Sequence, residues 1–256
     1  MIPKIIHFCW LSGDPYPSKI IKCIKTWGQY LSDYKIVLWD TNKFDINSSL
    51  WVRQAFEKKK YAFAADYIRF YALYHYGGIY LDSDVEVLKN FDELLDLPYF
   101  IGAEKAQTPE AAIIGAEKGC DWVKQCLDYY QDKAFVNNDG SLNIQTVPEI
   151  MIKQIEQIKP VRVLSIEESI NIRKFDMQKE FLEFNDAFFS PKVFDSRVVE
   201  VTPYTFAIHH YQNSWFSSKA RAYYRLRAFA VRLLGWKYVR YLEVLFIPWK
   251  FKKKTN

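Results

Sequence analysis

The sequence predicts an α/β fold, in which helices pack against a sheet that contains parallel strands. Short apolar runs typical of buried strands alternate, along the 256 residues, with segments whose apolar side chains recur at helical spacing. The composition agrees, because 50% of the residues are hydrophobic and 8 Trp, 18 Tyr and 19 Phe supply large side chains for a core. A chain of this length fits one domain with a substantial interior.

The first elements follow the order that begins an α/β sheet. Residues 4–9 are a mostly apolar run that suits a buried parallel strand. Residues 18–31 carry apolar side chains at helical spacing, and residues 34–39 form a second apolar strand. A strand, a helix and a strand in succession predict parallel pairing of the two strands.

Two helices follow, over residues 49–60 and residues 62–76, and the Gly77-Gly78 pair ends the second. A glycine at this position readily takes the left-handed conformation that closes many helices. Further elements are predicted as strands at residues 79–81, 99–103, 112–115, 161–164 and 204–209, and as helices at residues 120–131 and 146–158. No linker interrupts the chain before about residue 216, so we expect a domain over residues 1–215 and a helical C-terminal segment over residues 216–256.

The charge is distributed unevenly between these two parts. Residues 216–256 hold 11 Lys and Arg and one acid, a net charge of +10, whereas the remainder carries −5. Around residues 219–234 the cations and the apolar side chains fall on different sides of a helical wheel: Arg221, Arg225 and Arg232 on one, Tyr223, Leu226, Ala230 and Leu233 on another. Such segments suit an anionic membrane surface, and we expect contact through residues 216–254. Packing on the acidic body is the alternative, and nucleic acid is not an expected partner.

The composition excludes several classes of protein. A charged fraction of 25% and only 9 Gly rule out a disordered or collagen-like chain. No run of about 18 apolar residues occurs that would span a membrane, and the N-terminus lacks the features of a secretory signal. The four cysteines are scattered and form no C-x-x-C pair, so we expect reduced thiols in a cytoplasmic protein.

The residues with the clearest chemistry lie on both sides of the glycine pair. Asp66 and Arg69 are three positions apart on a predicted helix and so occupy neighbouring faces. Asp82 and Asp84 are two positions apart, and on an extended segment they project to the same side. Two carboxylates after a buried strand suit a hard divalent cation, Mg²⁺ or Mn²⁺, at the edge of the sheet where α/β proteins bind ligands.

Other interpretations of this stretch are open. Asp82-Ser83-Asp84 also has the composition of an ordinary polar turn. Haloacid-dehalogenase-type phosphatases place a nucleophilic Asp in a D-x-D-x-T/V pattern, but Glu86 occupies the fifth position here and the motif comes after two strands. The pair of Asp66 and Arg69 is equally compatible with a surface ion pair that contributes little.

Aromatic and histidine side chains follow two other predicted strands. Trp10 comes after the first strand, where it would stack on a base or cover the core. His209 and His210 end the last strand, where a third metal ligand is wanted, and Trp215 follows shortly after them.

Three segments together resemble glycosyltransferase family 32, the group with a sugar-binding region containing a DXD motif. The segments are I-P-K-I-I-H-F-x-W at the start, A-A-D-Y-I-R-F-Y-A-L-Y-H-Y-G-G-I-Y-L-D-S-D-V in the middle and H-H-x-x-N-S-W near the end. The group includes many bacterial capsule and surface polysaccharide enzymes. The resemblance covers residues 1–215 and implies a GT-A fold, the Rossmann-like fold of nucleotide-diphospho-sugar transferases. It also implies a nucleotide-sugar donor, Mn²⁺ or Mg²⁺, and transfer with retention of configuration.

The resemblance implies donor-binding roles for individual residues. Trp10 would stack on the base, and Asp66 would contact the ribose or the donor sugar. Arg69 would steady the sugar or its phosphate, and Asp82 would bind ribose and sugar hydroxyls. Trp215 would contact the leaving diphosphate.

The resemblance also implies a metal site in which Asp84 is a direct ligand, completed by His209 or His210. The residues expected to carry catalysis are then Asp82, Asp84 and Arg69. A metal ion and a cation together would neutralise the charge that builds on the departing diphosphate.

These observations predict a retaining, metal-dependent glycosyltransferase that moves a hexose from a nucleotide-sugar, a UDP-sugar before GDP-mannose. The expected acceptor is a glycan or a lipid-linked sugar in surface polysaccharide synthesis, and the expected location is the cytoplasm at the inner face of the cell membrane. The alternative is a non-catalytic nucleotide-sugar or glycan-binding module of the same fold. The retained carboxylate pair argues against that module, because a protein that only binds does not need a metal site.

Overall fold

The computed structural model describes residues 1–104, 108–192, 198–211, 218–235, 237–239 and 241. Its strands are β1 (Ile5–Cys9), β2 (Lys35–Trp39), β3 (Gly78–Leu81), β4 (Val85–Val87), β5 (Tyr99–Ala103), β6 (Pro109–Ala116), β7 (Val161–Val163), β8 (Phe181–Glu183) and β9 (Ala207–His209). Its helices are α1 (Ser18–Tyr30), α2 (Leu50–Glu57), α3 (Tyr61–Tyr76), α4 (Asp121–Asp128), α5 (Val147–Ile155), α6 (Ile166–Ile170), α7 (Asp186–Phe189) and α8 (Ser218–Leu234). Short 3₁₀ helices cover Ile46–Ser48, Asp92–Leu94 and Ile172–Lys174.

The chain divides into two compact units. The first comprises Met1–Pro191 and Glu200–Gln212, and it holds all the strands named above. The second comprises Lys192–Val199 and Asn213–Asn256, and α8 is its helix. The domain boundary expected between residues 215 and 216 stays a prediction.

The central sheet has five strands in the order β2-β1-β3-β6-β5. Strand β1 is parallel to both neighbours, so that Ile6 lies opposite Ile36 on one side and Ile79 on the other. Strand β6 is antiparallel to β3 and to β5. The carboxyl ends of β2, β1 and β3 therefore meet at one edge of the sheet, and the predicted α/β class is confirmed.

The predicted helices and strands are all present, most of them shorter by a few residues at their ends. The elements that were not predicted are β4, β8, α6 and α7, each of three to five residues. In a segment of this length the hydrophobic period does not repeat often enough to be recognised, so the pattern cannot identify the element. Of the strand predicted over residues 204–209, only Ala207–His209 is extended and paired.

Most of the large aromatic side chains lie inside the first unit. Trp27 and Trp51 are completely buried, and each indole N–H donates to a backbone carbonyl, that of Val85 at 2.9 Å and that of Phe63 at 2.7 Å. These bonds satisfy the one polar group of each indole, which makes full burial favourable. The bond from Trp27 also attaches α1 to the start of β4, directly after the two aspartates of the motif.

The glycine pair after α3 has the conformation that only glycine adopts readily. Gly77 has a φ of +65° and Gly78 a φ of +112°, both in the left-handed region. A Cβ on Gly78 would lie 2.6 Å from the carbonyl oxygen of Ile5, closer than a carbon atom can approach. The pair therefore lets α3 end and β3 begin directly beside β1.

His7 of β1 is a buried histidine whose tautomer is fixed by its partners. The indole N–H of Trp39 donates to Nδ1 at 3.1 Å, so the proton is on Nε2, which donates to the Gly77 carbonyl at 2.8 Å. Protonation of Nδ1 would break the bond from Trp39 and place a charge in the core. Burial accordingly lowers the pKa of His7 from 6.5 to about 4.

We expect His7 to make the protein less stable in mild acid. Between pH 6.5 and about 4 the His7 imidazole binds a proton in the unfolded chain but not in the folded chain. The free energy of unfolding therefore falls as the pH falls through this window. The expected loss at pH 5 relative to pH 7.5 is about 2 kcal/mol. Urea unfolding of the wild type and of His7→Gln at both pH values measures it, and the variant should lose less. Burial also lowers the pKa of the more exposed His75, so His75→Gln should reduce the loss less than His7→Gln does. An equal loss in His7→Gln and the wild type, or an equal reduction in both variants, would assign the acid sensitivity to other groups.

None of the helices in the described part of the chain is both long enough and apolar enough to cross a membrane. The four cysteines are free thiols, as expected, and Cys23 and Cys126 are buried in the first unit.

Candidate functional site

The two aspartates of the motif lie in a turn directly after β3. The Asp82 N–H donates to the Ala112 carbonyl at 2.9 Å, and the Val85 N–H donates to the Asp82 carbonyl at 3.0 Å. The expectation of an extended segment from Asp82 to Asp84 is therefore wrong, and the polar-turn interpretation describes the backbone correctly. The chain turns here because β3 ends in the central sheet and β4 begins in another. The turn nevertheless brings the two carboxylates together.

A histidine reaches the same place from far along the chain. Strand β9 pairs antiparallel with β4, and in this register His209 lies opposite Val85. His209 Nε2 is then 3.7 Å from Asp84 Oδ1. One ligand atom from each of Asp82, Asp84 and His209 lies within 4.8 Å of the other two.

Glu110, at the start of β6, fixes the orientation of this histidine. Its carboxylate lies 3.1 Å from His209 Nδ1, and it also accepts the Ala112 N–H at 2.9 Å and the Tyr211 hydroxyl at 3.2 Å. With Nδ1 bonded to Glu110, Nε2 is the nitrogen that faces Asp84. Histidines that bind metals usually have such a partner on the second nitrogen.

Charge in this cluster follows the same contacts. Burial alone would lower the pKa of His209, but the Glu110 and Asp84 carboxylates outweigh it and raise that pKa to about 10. Burial raises the pKa of Glu110, but the neighbouring His209 brings it below its usual value. His209 is therefore protonated at neutral pH in this arrangement, and a metal ion that binds Nε2 must displace a proton.

Glu110 was not predicted as a site residue. It lies in β6, a strand whose eight residues are all buried. The available signal was a charged residue in an otherwise apolar run, since a buried carboxylate needs partners. Glu110 is only 1% exposed.

The structure separates the two neighbouring histidines. His210 points to Glu86, with 2.7 Å between Nε2 and the carboxylate, whereas His209 points to the two aspartates. Successive residues of a strand project to opposite faces, so only one of the two can face the aspartates. His209 is accordingly the histidine that the described residues place in the cluster with Asp82 and Asp84, and His210 is not part of it.

Arg69 connects α3, the turn and β6 inside the protein. Its NH2 lies 3.3 Å from Asp66 Oδ1 and 3.3 Å from Asp82 Oδ1, and its NH1 donates to the Ala111 carbonyl. The guanidinium also lies 4.6 Å from the centre of the Tyr80 ring. The surface-ion-pair interpretation is therefore wrong, because Asp66 and Arg69 are both buried.

These contacts set the charge of the two aspartates that face Arg69. Burial raises the pKa of Asp66 to about 7, although the guanidinium opposes the shift. Burial likewise raises the pKa of Asp82, again against the effect of Arg69. Arg69 therefore compensates two carboxylates that would otherwise be costly to bury.

Trp10 and Trp215 were the aromatic side chains expected at the site. Trp10 follows β1 at the same sheet edge as Asp82, and its indole N–H donates to the Asp14 carbonyl at 2.7 Å. A cavity of about 500 Å³ opens beside it, lined by residues 10–16, Leu38, residues 40–42 and Phe56. Trp215 lies outside the described residues.

The cluster of Asp82, Asp84 and His209 fits a divalent cation. Carboxylate oxygens suit both Mg²⁺ and Mn²⁺, and the imidazole suits Mn²⁺ better than Mg²⁺, which prefers an all-oxygen shell. The exposed part of the cluster is Asp82, whose side chain is 30% exposed, while the other two are nearly buried. A ligand can therefore reach the cluster from the side of Asp82.

Comparison with known proteins agrees with this geometry. Residues 17–101 match the family described as "Glycosyltransferase sugar-binding region containing DXD motif", so the predicted family is confirmed for this region. The matched region includes α3 and the Asp82–Asp84 turn.

Two curated relatives and one solved structure illustrate the similarity. "Inositol phosphoceramide mannosyltransferase 3" of Schizosaccharomyces pombe is 31% identical over 130 residues, which are 49% of this chain and 36% of the relative. "Uncharacterized glycosyltransferase L373" of Acanthamoeba polyphaga mimivirus is 28% identical over 150 residues, 56% of this chain and 60% of the relative. The "PaToxG Glycosyltransferase" structure is 20% identical with a TM-score of 0.45, over 61% of this chain and 69% of that one. The chain thus spans less than two thirds of the length of each of these two curated relatives.

Proposed function

Residues 17–101 belong to the glycosyltransferase family with a DXD-containing sugar-binding region, and on this premise we propose that the whole chain is a metal-dependent, retaining GT-A glycosyltransferase. The single observation that supports this most is the cluster of Asp82, Asp84 and His209, with the Arg69–Asp66 pair buried directly behind it. The two aspartates of the family motif are then also members of a cluster with the geometry to bind a cation.

Each residue of the cluster has a separate role in this proposal. Asp84 and His209 hold the ion, and Asp82, the most exposed member, binds hydroxyls of the donor. A divalent ion at this place supplies positive charge that stabilises the departing diphosphate. Arg69 keeps Asp82 in position; its NH1 and NH2 are bonded to protein groups, so we assign it to positioning in place of the direct donor contact expected from the resemblance.

The nucleotide part of the donor would lie along the same sheet edge. Trp10 and the cavity beside it are at the carboxyl ends of β1 and β2, next to the end of β3 that carries Asp82. This is where open α/β sheets bind ligands. We propose that the base stacks near Trp10 while the diphosphate extends toward Asp84, and that Trp215 contacts the diphosphate.

The transfer itself requires no nucleophile from the protein. Asp82 and Asp84 are engaged with donor and cation, so the acceptor hydroxyl attacks from the side on which the diphosphate leaves. The bond from the sugar carbon to the acceptor oxygen forms as the bond to the β-phosphate oxygen breaks, and the acceptor proton passes to the diphosphate. Double-displacement enzymes instead place two free carboxylates on either side of the sugar.

The donor sugar and the acceptor belong to the same proposal. A UDP-sugar or GDP-mannose is the donor, and the names of the fungal relatives favour mannose. One of them is named for transfer to inositol phosphoceramide, which favours a lipid-linked acceptor over a free glycan. We propose action at the cytoplasmic face of an anionic membrane, contacted through residues 216–254, in surface glycan synthesis.

Thermal unfolding in the presence of nucleotides tests the proposal. UDP, GDP, CDP and ADP are added separately, each with and without Mn²⁺, because a ligand of the native state raises the melting temperature. We expect one nucleotide to raise it, and Mn²⁺ to increase the effect. The absence of a shift with every nucleotide would contradict the proposal. A shift without release of nucleotide from any nucleotide-sugar would support the non-catalytic binding module instead.

Glu110 provides a separate prediction about the metal site. In Glu110→Gln the amide oxygen still accepts a hydrogen bond, but the negative charge behind His209 is lost. We expect the affinity for Mn²⁺ to fall about 10- to 100-fold. Titration calorimetry with Mn²⁺ measures it, and the melting temperature of the metal-free protein confirms that the variant is folded.

Glu86→Gln is the control, because Glu86 bonds to Nε2 of the neighbouring His210, which lies outside the cluster. This control should bind Mn²⁺ as the wild type does. Equal losses in the two variants would show that the effect of Glu110→Gln is one of net charge and not of the orientation of His209.

A further inference from the structure

Helix α8 has a buried side and an exposed side, and the exposed side is the apolar one. Ala228 and Val231 are buried. On the opposite side Leu226, Phe229 and Leu233 are 71%, 63% and 67% exposed. At about 100° per residue these three side chains fall within about 60° of one another. They form one continuous strip, which we call the outer face of α8.

Such an arrangement is unusual for an amphipathic helix of a globular protein. An amphipathic helix normally turns its bulky apolar residues inward and its polar residues to water. Here the small residues are inside and two leucines and a phenylalanine are outside. The exposed apolar character continues beyond the helix, because Tyr238 and Tyr241 are 55% and 61% exposed. A continuous apolar surface of this kind indicates a partner.

The charge of the surrounding sequence identifies the chemistry of that partner. Residues 216–256 carry a net charge of +10 with Glu243 as their one acid. A partner must therefore combine negative charge at its surface with an apolar layer just beneath it. An anionic lipid bilayer has this structure, since its headgroups attract Lys and Arg while apolar side chains enter the layer below them.

We propose that the outer face of α8 inserts into the headgroup region of an anionic bilayer, with the helix lying parallel to the membrane surface. This inference rests on the proposed function, and it assigns the membrane contact of that function to particular residues. The contact itself does not require glycosyl transfer. Leu226, Phe229 and Leu233 supply the apolar contact, and the cations of the segment supply the preference for anionic lipid.

Flotation of the full chain with lipid vesicles tests this inference. One set of vesicles contains phosphatidylcholine alone and the other contains about 30% phosphatidylglycerol. The wild type should float with the anionic vesicles only, and less at high salt. The triple variant Leu226→Gln, Phe229→Gln, Leu233→Gln keeps every charge, and its partition should fall at least about tenfold.

The matched control replaces three exposed aliphatic residues of the first unit, Ile144, Ile170 and Val201, by Gln. This control should bind vesicles as the wild type does. Unchanged binding of the α8 variant would overturn the inference. So would a wild type that dimerises in the ultracentrifuge without binding vesicles, because a second copy would then cover the outer face.

The melting-temperature shift with nucleotide and Mn²⁺ is measured on the same variants. It should be unchanged in the α8 variant, since none of the three substituted residues belongs to the proposed nucleotide site. If the α8 variant loses vesicle binding but keeps a normal shift, only the membrane contact has been changed. If the wild type shows no shift, the proposed enzyme activity is contradicted, and the flotation result still decides the membrane contact.

Discussion

Asp84→Ala is expected to reduce glycosyl transfer at least about a hundredfold while the protein remains folded. The carboxylate of Asp84 is one of three groups that face the proposed cation, and it lies 3.7 Å from His209 Nε2. Stability should change little without metal, because removing one of two neighbouring carboxylates also removes their repulsion. Release of nucleotide from the nucleotide-sugar measures transfer, and the thermal midpoint reports the fold.

Ser83→Ala is the control for Asp84→Ala, because it changes the middle residue of the same turn and leaves both carboxylates. It should transfer sugar at nearly the wild-type rate and keep the Mn²⁺-dependent shift in melting temperature. If folded Asp84→Ala retains more than a few per cent of the activity, the assignment of Asp84 as metal ligand is wrong.

Arg69→Met is expected to lower the free energy of unfolding by about 3–5 kcal/mol. Methionine has a similar length and no charge, so the variant leaves the buried Asp66 and the half-buried Asp82 without their cation. It also removes the hydrogen bond to the Ala111 carbonyl, which then faces the interior unpaired. Urea unfolding at pH 8, above the pKa of about 7 that Asp66 has in the wild type, measures the loss.

Two further variants distinguish the effect of burying an ion pair on stability from the effect of pairing alone. Arg173→Met removes an arginine that also bonds to a carboxylate, that of Asp96, but is half exposed, so it should cost about 1 kcal/mol or less. Asp66→Asn combined with Arg69→Met should restore part of the lost stability, because one uncompensated charge is gone. Equal costs for Arg69→Met and Arg173→Met would contradict the buried network.

Much of the site could be predicted because it depends on local order along the chain. A helix ended by glycines, a short apolar strand and two aspartates fixed the place of Asp66, Arg69 and Asp82 relative to one another. Parallel pairing of β1 with β3 then put Trp10 on the same edge. Asp66, Arg69 and Asp82 lie within 16 positions of one another, which is short enough for pattern and spacing to decide their arrangement.

The remaining features depend on pairings between distant strands, which spacing does not reveal. The choice between His209 and His210 is made by the register of β9 on β4, and β4 is only three residues long. Glu110 reaches His209 across 99 positions of sequence. The role of Arg69 also depended on burial, because an exposed arginine would face the donor whereas this one is enclosed by protein groups.

The pairing of β4 with β9 also determines when the cation site can first exist during synthesis of the chain. Asp82 and Asp84 are synthesised more than a hundred residues before His209. Strand β4 therefore has no partner strand until β9 has been synthesised. A nascent chain that ends before Ala207 therefore carries the complete family motif without its imidazole ligand. In the proposed function the cation site is therefore completed late in translation, by a three-residue strand, and products truncated before that strand would carry the motif without the complete site.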